Sequence, residues 1–391
     1  MKRILFSWEM GSGLGHLGRF QPLHAALVAR GATCAMALRE LANVHSVFGS
    51  NAKDVWQVPV PRPVQQHGSI HVGYADSLRR VGYGDAAVLE MMLNAWLRII
   101  DAVRPDMLIA DYAPTALLAA RVAGVPVATF GCTFARPPAE NPLPVYRWWQ
   151  AGNDGAAIQS IENLVATTCN TVLKRHAAQP IDNLAALLDS RFDWLTTVRE
   201  LDHYGSREHG EFVGPMSGLK SGDAPRWPIG LGPRVFVYLR QHAELTQQVL
   251  SHLVKRGART LIYSPNGETQ EQPGVIVSNR LIDLAKVCEE ADFAISHTGI
   301  IAESFLLAGK PVLMFPVTIE QHLRARRIAE TGGGLLATVR STGGSTVADE
   351  TLDALFEKKS LVSAAQAMAS RYRSDHQIEA LQRIANQIIS G

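Results

Sequence analysis

Ala294–Gln321 reads AISHTGIIAESFLLAGKPVLMFPVTIEQ, and its parts carry separate physical meanings. Phe293–Ser296 is a short apolar run ending in a polar residue, the pattern of a buried parallel strand. His297-Thr298-Gly299 is a tight turn, and Ile300–Ala308 spaces Ile301, Phe305 and Ala308 as a helix does, with Gly309 as its stop. Lys310-Pro311 opens a second strand, Val312–Phe315, which ends at Pro316. A strand, a glycine turn and a helix start aim free backbone N–H groups and a positive dipole end at one point, which suits phosphate. Glu320-Gln321 pairs an acceptor with an amide just outside a strand end, where open α/β sheets bind polar ligands.

The ordered set His297, Gly299, Glu303, Gly309, Pro311, Pro316, Glu320 and Gln321 resembles the donor-binding signature of family 1 GT-B glycosyltransferases. That resemblance implies a diphosphate held at His297, Thr298, Gly299 and Ile300, a ribose at Glu303, and sugar hydroxyls at Glu320 and Gln321. The chain departs from the signature where Thr298 replaces the first turn glycine and Glu320 stands for Asp. The segment from His297 to Glu303 is also about two residues short. A plain βαβ unit punctuated by Gly and Pro is the alternative for the turn taken alone.

Near the start, a strand over Arg3–Trp8 runs into the glycine loop at Gly11, Gly13, Gly15 and Gly18, ahead of a helix over Gln21–Arg30. The spacing does not fit Gly-x-Gly-x-x-Gly, and the ribose-binding acid would have to be Glu40, so the match to a dinucleotide site is weak. Gly15-His16-Leu17 with Pro22 six residues after His16 resembles the first loop of the same transferases. There the histidine deprotonates an acceptor hydroxyl; otherwise His16 would merely cap its helix. Gly13 and Gly15 join the donor-binding set as places of close backbone approach. Asp111 ends the strand Met107–Ala110 ahead of a helix over Thr115–Ala123. Within Pro105-Asp-x-x-x-x-Asp111 it resembles the carboxylate that orients the catalytic histidine, and it can also be the N-cap of its helix.

Pro61–Tyr83 reads as a loop over the cleft, with His67 and His71 in solvent, and Ala86–Val103 as an amphipathic helix. Trp8, Met10, Phe134, Trp148 and Trp149 are candidates to line an acceptor pocket, although paired tryptophans also staple loops onto cores. The alternation of strand and helix restarts at Arg234 after a Pro- and Gly-rich stretch. The expected organisation is an N-terminal acceptor-binding domain 1–214, a linker 215–233, a nucleotide-sugar domain 234–373, and a helix 374–391 crossing back to the first domain. Two more departures fall in the second domain. Leu239-Arg240 replaces a Gly-Ser or Gly-Thr strand end, and Arg280-Leu-Ile-Asp283 replaces the Trp-x-Pro-Gln that frames the base. Arg240 is the candidate for restoring phosphate contacts, and Arg280 for stacking on the base or pairing with phosphate.

Length and composition agree with this reading. The chain has 391 residues, 47% of them hydrophobic, enough for two or three cores. A net charge of +2 argues against a nucleic-acid partner, which asks for a basic face. The four cysteines, Cys34, Cys132, Cys169 and Cys288, lie far apart as buried thiols would in a reducing compartment. Met1-Lys-Arg opens too short and polar a segment for a signal peptide, and no apolar run reaches the roughly 18 residues of a transmembrane helix. A soluble, cytoplasmic protein is expected.

The fold class is therefore α/β, of GT-B type: two doubly wound Rossmann-like domains facing across a cleft. The resemblance implies an inverting hexosyltransferase with His16 as base and Asp111 behind it. It would use a UDP- or dTDP-linked sugar as co-substrate and a small-molecule hydroxyl as acceptor, with no metal and no other cofactor. A sugar-nucleotide epimerase or hydrolase of the same fold, or a non-catalytic sugar-nucleotide binder, would keep the donor site without the transfer.

Overall fold

The computed structural model describes residues 1–60, 72–150, 155–216, 222–239, 243–265, 267–338, 346–372 and 375–391. The chain divides into two compact units, Met1–Met216 with Gln377–Gly391, and Ser217–His376.

The first unit holds a seven-stranded sheet of β1 (Arg3–Trp8), β2 (Thr33–Leu38), β3 (Val55–Gln57), β4 (Met107–Asp111), β5 (Val127–Gly131), β6 (Phe192–Leu195) and β7 (Glu211–Phe212). Its spatial order is β3-β2-β1-β4-β5-β6-β7, with every pairing parallel. The strands are buried on both faces, and the twofold alternation of side chains sorts them. Leu5, Ala35, Ala37, Leu108 and Ala110 face one core, where helices Ala86–Val103 and Gly155–Arg175 contribute Trp96, Ile100, Val165 and Val172. Ile4, Phe6, Trp8, Met36 and Ile109 face the other, against Leu17, Phe20, Leu23 and Leu27 of helix Gly15–Val28. The C-terminal helix Asp375–Ser390 closes that second face with Ala380, Ile384, Ala385 and Ile388.

The second unit repeats the plan with β8 (Arg234–Tyr238), β9 (Arg259–Tyr263), β10 (Gln270–Gln272), β11 (Val275–Ser278), β12 (Phe293–Ser296), β13 (Val312–Met314) and β14 (Gly334–Leu336). Their order is β10-β11-β9-β8-β12-β13-β14, parallel except for the edge strand β10.

Several elements differ from the sequence reading. The first helix begins at Gly15, not Gln21, so His16 lies on its first turn. Tertiary packing overrides the poor helix propensity of Gly15 and Gly18 there. Phe20 stacks on Phe6 at 3.8 Å between ring centroids and anchors that end of the helix to the sheet. The segment expected to be a loop at 61–83 includes the buried helix Tyr74–Leu78, whose Asp76 is paired with Arg79 and Arg80. His67 and His71 lie outside the described residues. Gly334 opens β14 directly after Gly332 and Gly333. A Cβ on Gly333 would meet Leu306, and one on Gly334 would meet Ile328, each at 2.5 Å.

Candidate active site

In an open α/β sheet, ligands bind beyond the carboxyl ends of the strands where the strand order reverses. In the first unit that point lies between β1 and β4, because β1 is followed in space by β2 on one side and β4 on the other. The two strands run parallel with Trp8 directly opposite Asp111. Met10 N–H then donates to the Tyr112 carbonyl at 2.9 Å, so the two chain segments leave the sheet side by side.

His16 and Asp111 meet here. Asp111 Oδ2 accepts from His16 Nδ1 at 2.9 Å, which leaves Nε2 as the nitrogen able to take a proton. The imidazole stacks on Trp8 with centroids 4.7 Å apart and planes 16° from parallel. Gly11, at φ 83°, lies under its edge, and a Cβ there would approach Nε2 to 2.7 Å. Asp111 is 1% exposed. Burial pushes its carboxyl up, but the charges and hydrogen bonds of His16 and Arg19 outweigh this and hold it below the ordinary carboxylate range.

Asp111 does not cap the following helix. That helix, Pro114–Ala123, has Ala113 at its N-cap, and its first turn is served by Glu9 instead. The Glu9 carboxylate accepts from Thr115 N at 2.8 Å and from Thr115 Oγ1 at 2.5 Å. Arg19 is the residue that sequence reasoning missed: its Nη1 donates to Asp111 Oδ2 at 2.8 Å, the same oxygen that His16 uses. Its spacing of three from His16 on one helix was the available signal.

The side chains expected to line an acceptor pocket separate into two groups. Trp8, Met10 and Phe134 are buried. Trp8 Nε1 donates to the Met10 carbonyl, and Phe134 stacks on Tyr146. Trp148 and Trp149 form an edge-to-face pair, with Trp148 exposed. Gly13 and Gly15 have open space where a Cβ would stand, so the backbone there is approachable.

In the second unit the strand order reverses between β8 and β12. His297 follows β12, and its Nδ1 donates to the Phe315 carbonyl at 2.8 Å, which ties it to the end of β13. Thr298 is the N-cap of helix Gly299–Leu307 but makes no side-chain cap bond. Ile300 lies in that helix's first turn, half-buried, and Gly299 borders open space. Glu303 is buried, and its Oε2 accepts from Arg324 Nη1 at 2.8 Å. The residue expected at a ribose therefore has a partner inside the protein, as a buried carboxylate requires.

Glu320 and Gln321 open helix Ile319–Glu330. Gln321 completes a capping box with Thr318: its Oε1 accepts from Thr318 N at 3.4 Å, Thr318 Oγ1 accepts from Gln321 N at 3.3 Å, and Val317 N also donates to Oε1 at 2.9 Å. Arg280 is exposed and pairs with Asp223, Nε to Oδ2 2.8 Å. Arg240 lies outside the described residues. Among the described residues no three His, Cys, Asp or Glu side chains gather where they could hold a metal ion, and no helix is long and apolar enough to cross a membrane.

No family model matches the chain. The chain is 24% identical over 298 residues to the PGL/p-HBAD biosynthesis rhamnosyltransferase of Mycobacterium bovis, an alignment covering 71% of this chain and 66% of the relative. The match thus spans just under two thirds of that relative's length. The structure superposes on CalG4, the calicheamicin glycosyltransferase, with a TM-score of 0.69 at 16% identity, covering 100% of this chain and 97% of the other. It superposes on the spinosyn rhamnosyltransferase SpnG complexed with thymidine diphosphate with a TM-score of 0.64 at 14% identity, over 99% and 100% of the two chains. With a Rossmann-like sheet in each of its two units, the chain has the GT-B fold of these glycosyltransferases.

Proposed function

We propose that the chain is an inverting glycosyltransferase that moves a sugar from a nucleoside diphosphate donor to a hydroxyl of a small-molecule acceptor. The observation that carries this reading is the His16–Asp111 hydrogen bond at the switch point of the first unit. A buried carboxylate on Nδ1 fixes the tautomer that leaves Nε2 basic and stabilises the imidazolium formed when the acceptor gives up its proton. The acceptor oxygen then forms a bond to the anomeric carbon as the bond from that carbon to the diphosphate oxygen breaks on the opposite face. The charge that develops on the departing diphosphate falls to His297 and the start of helix Gly299–Leu307. Gln321 offers its side-chain amide N–H₂ to the sugar while its carbonyl serves the helix cap.

A thymidine diphosphate-linked 6-deoxyhexose is the donor favoured by this reading. Its support is that a curated relative and a structural neighbour are both named rhamnosyltransferases, and that neighbour was determined with thymidine diphosphate. Calorimetry with thymidine and uridine diphosphates, followed by product analysis with their sugar conjugates, tests it. A new glycoside is the expected product, whereas free sugar or an epimerised donor would assign the chain to a different reaction. In the same assay His16→Ala should abolish transfer while binding nucleoside diphosphate as the parent does, because the base acts on the acceptor. Equal turnover by variant and parent removes His16 from the mechanism.

A further inference from the structure

Asp111 carries two donors on one oxygen. His16 Nδ1 and Arg19 Nη1 reach Oδ2 at 2.9 and 2.8 Å, while Oδ1 is buried without a hydrogen-bond partner. That other oxygen lies against β5, where a Cβ on Gly131 would come within 2.5 Å of it. The carboxylate cannot therefore share its two oxygens between its two neighbours as a free ion pair would. His16 and Arg19 project from the same face of the first turn of helix Gly15–Val28, three residues apart.

A carboxylate at hydrogen-bond distance from an imidazole draws a proton onto it, because the negative charge stabilises the imidazolium. A histidine protonated at rest is no base. A guanidinium does not lose its proton, and on the same oxygen it balances the carboxylate and removes that pull. We propose that Arg19 is a positioning residue that supplies the counter-charge of Asp111 and so keeps His16 ready to accept a proton. The inference rests on the reading of His16 as the base.

Among the described residues, the remaining neighbours of His16 do not supply that charge. Trp8, behind the ring, is neutral. Tyr112 lies beside Gly11. Glu9 is turned into hydrogen bonds with Thr115, and Arg39 donates to the Glu9 carbonyl at 3.0 Å. Among the described residues, the charged side chains bonded directly into the cluster are Asp111 and Arg19.

Arg19→Gln keeps a donor for Asp111 and removes the charge, and Arg19→Lys restores the charge. The ring signals of ring-labelled histidine, with His16 identified by its absence in His16→Ala, are followed by NMR over pH 4–9 in the full chain. The His16 midpoint in Arg19→Gln should rise by about one pH unit or more above the parent, and Arg19→Lys should return most of the way. The acid limb of kcat/KM should move by the same amount, so that Arg19→Gln loses more activity near pH 6 than near pH 8. Equal midpoints in parent and Arg19→Gln, or an Arg19→Lys midpoint displaced as far as the Gln one, overturn the proposal. The titration needs no substrate. Its failure is therefore distinct from failure of the transferase reading, which shows as retained turnover in His16→Ala.

Discussion

Thr298 occupies backbone torsions of φ 147° and ψ −138°, a region that glycine enters freely and a β-branched residue enters only under strain. Its hydroxyl is buried and has no hydrogen-bond partner. The substitution of threonine for a turn glycine is visible in the sequence; that the turn keeps the glycine geometry anyway is visible only in the structure. Such a residue costs about 1–3 kcal/mol, and glycine returns about 0.5–1 kcal/mol of that as chain entropy. Thr298→Gly should therefore raise the unfolding free energy of the second unit by about 0.5–2 kcal/mol, read by denaturant titration. A lower midpoint would mean that the threonine side chain stabilises the turn through its packing. His16 and Asp111 were singled out through the resemblance of their segments, because a histidine at a helix start or an aspartate at a strand end, taken alone, reads as a cap. Arg19 was not, since the sequence reading began the helix only at Gln21 and left Arg19 in the loop before it, out of register with His16.

At the scale of elements, helix starts account for much of what the sequence left ambiguous. Helix Pro114–Ala123 begins beside Asp111 but takes its cap from Glu9, more than a hundred residues away. Burial pushes the Glu9 carboxyl up to about 7, against the opposing effect of its bonds to Thr115 and Ala116 and the charge of Arg39. Because the folded value lies above the ordinary value of 4.5, this group's contribution to stability is complete below pH 4.5 and is lost as pH rises through about 7. That loss is on the order of 3 kcal/mol. Glu9→Gln should flatten it, so the variant gains on the parent between pH 5 and pH 8 in thermal unfolding; parallel pH profiles would leave Glu9 without this role. Helix Ile319–Glu330 raises the converse problem, because Gln321 serves both the cap and the proposed sugar site. Gln321→Ala removes both at once, costing about 1 kcal/mol of cap as well as binding. Gln321→Glu keeps the capping box and replaces the amide donor with a carboxylate. Calorimetry on Gln321→Glu should show nucleoside diphosphate binding intact and sugar-nucleotide binding weakened by about 0.5–1.5 kcal/mol. Equal losses for the two ligands would place the amide away from the sugar.

At the scale of the molecule, the chain builds its first unit from both of its ends. Ile384 and Ile388 are fully buried against residues of β1, β2 and helix Gly15–Val28, so that unit stays incomplete until the last helix is added. Ile384→Ala should destabilise the first unit by about 2–5 kcal/mol, seen as an earlier transition for that unit in calorimetric unfolding. A shift confined to the second unit would contradict the packing.

The doubly wound arrangement was implied by the resemblance, whereas the α/β class, the two alternating halves and the residues at strand ends follow from periodicity, glycine punctuation and polar residues after apolar runs. These are local signals, and a single chain segment carries them whole. Partnership is not local. His16 meets Asp111 because β1 and β4 are neighbours at the switch point, a matter of strand order that no spacing along the chain encodes. The same holds for Glu303, whose expected ligand role competes with Arg324 once two helices pack, and for Glu9, which caps a helix it precedes by a hundred residues. The sequence by itself determined the run of strands and helices and singled out polar residues at their ends as candidates for chemistry. Only the tertiary structure decided which of them share a hydrogen bond, because burial forces each buried charge to find its counter-charge among whatever neighbours the packing brings.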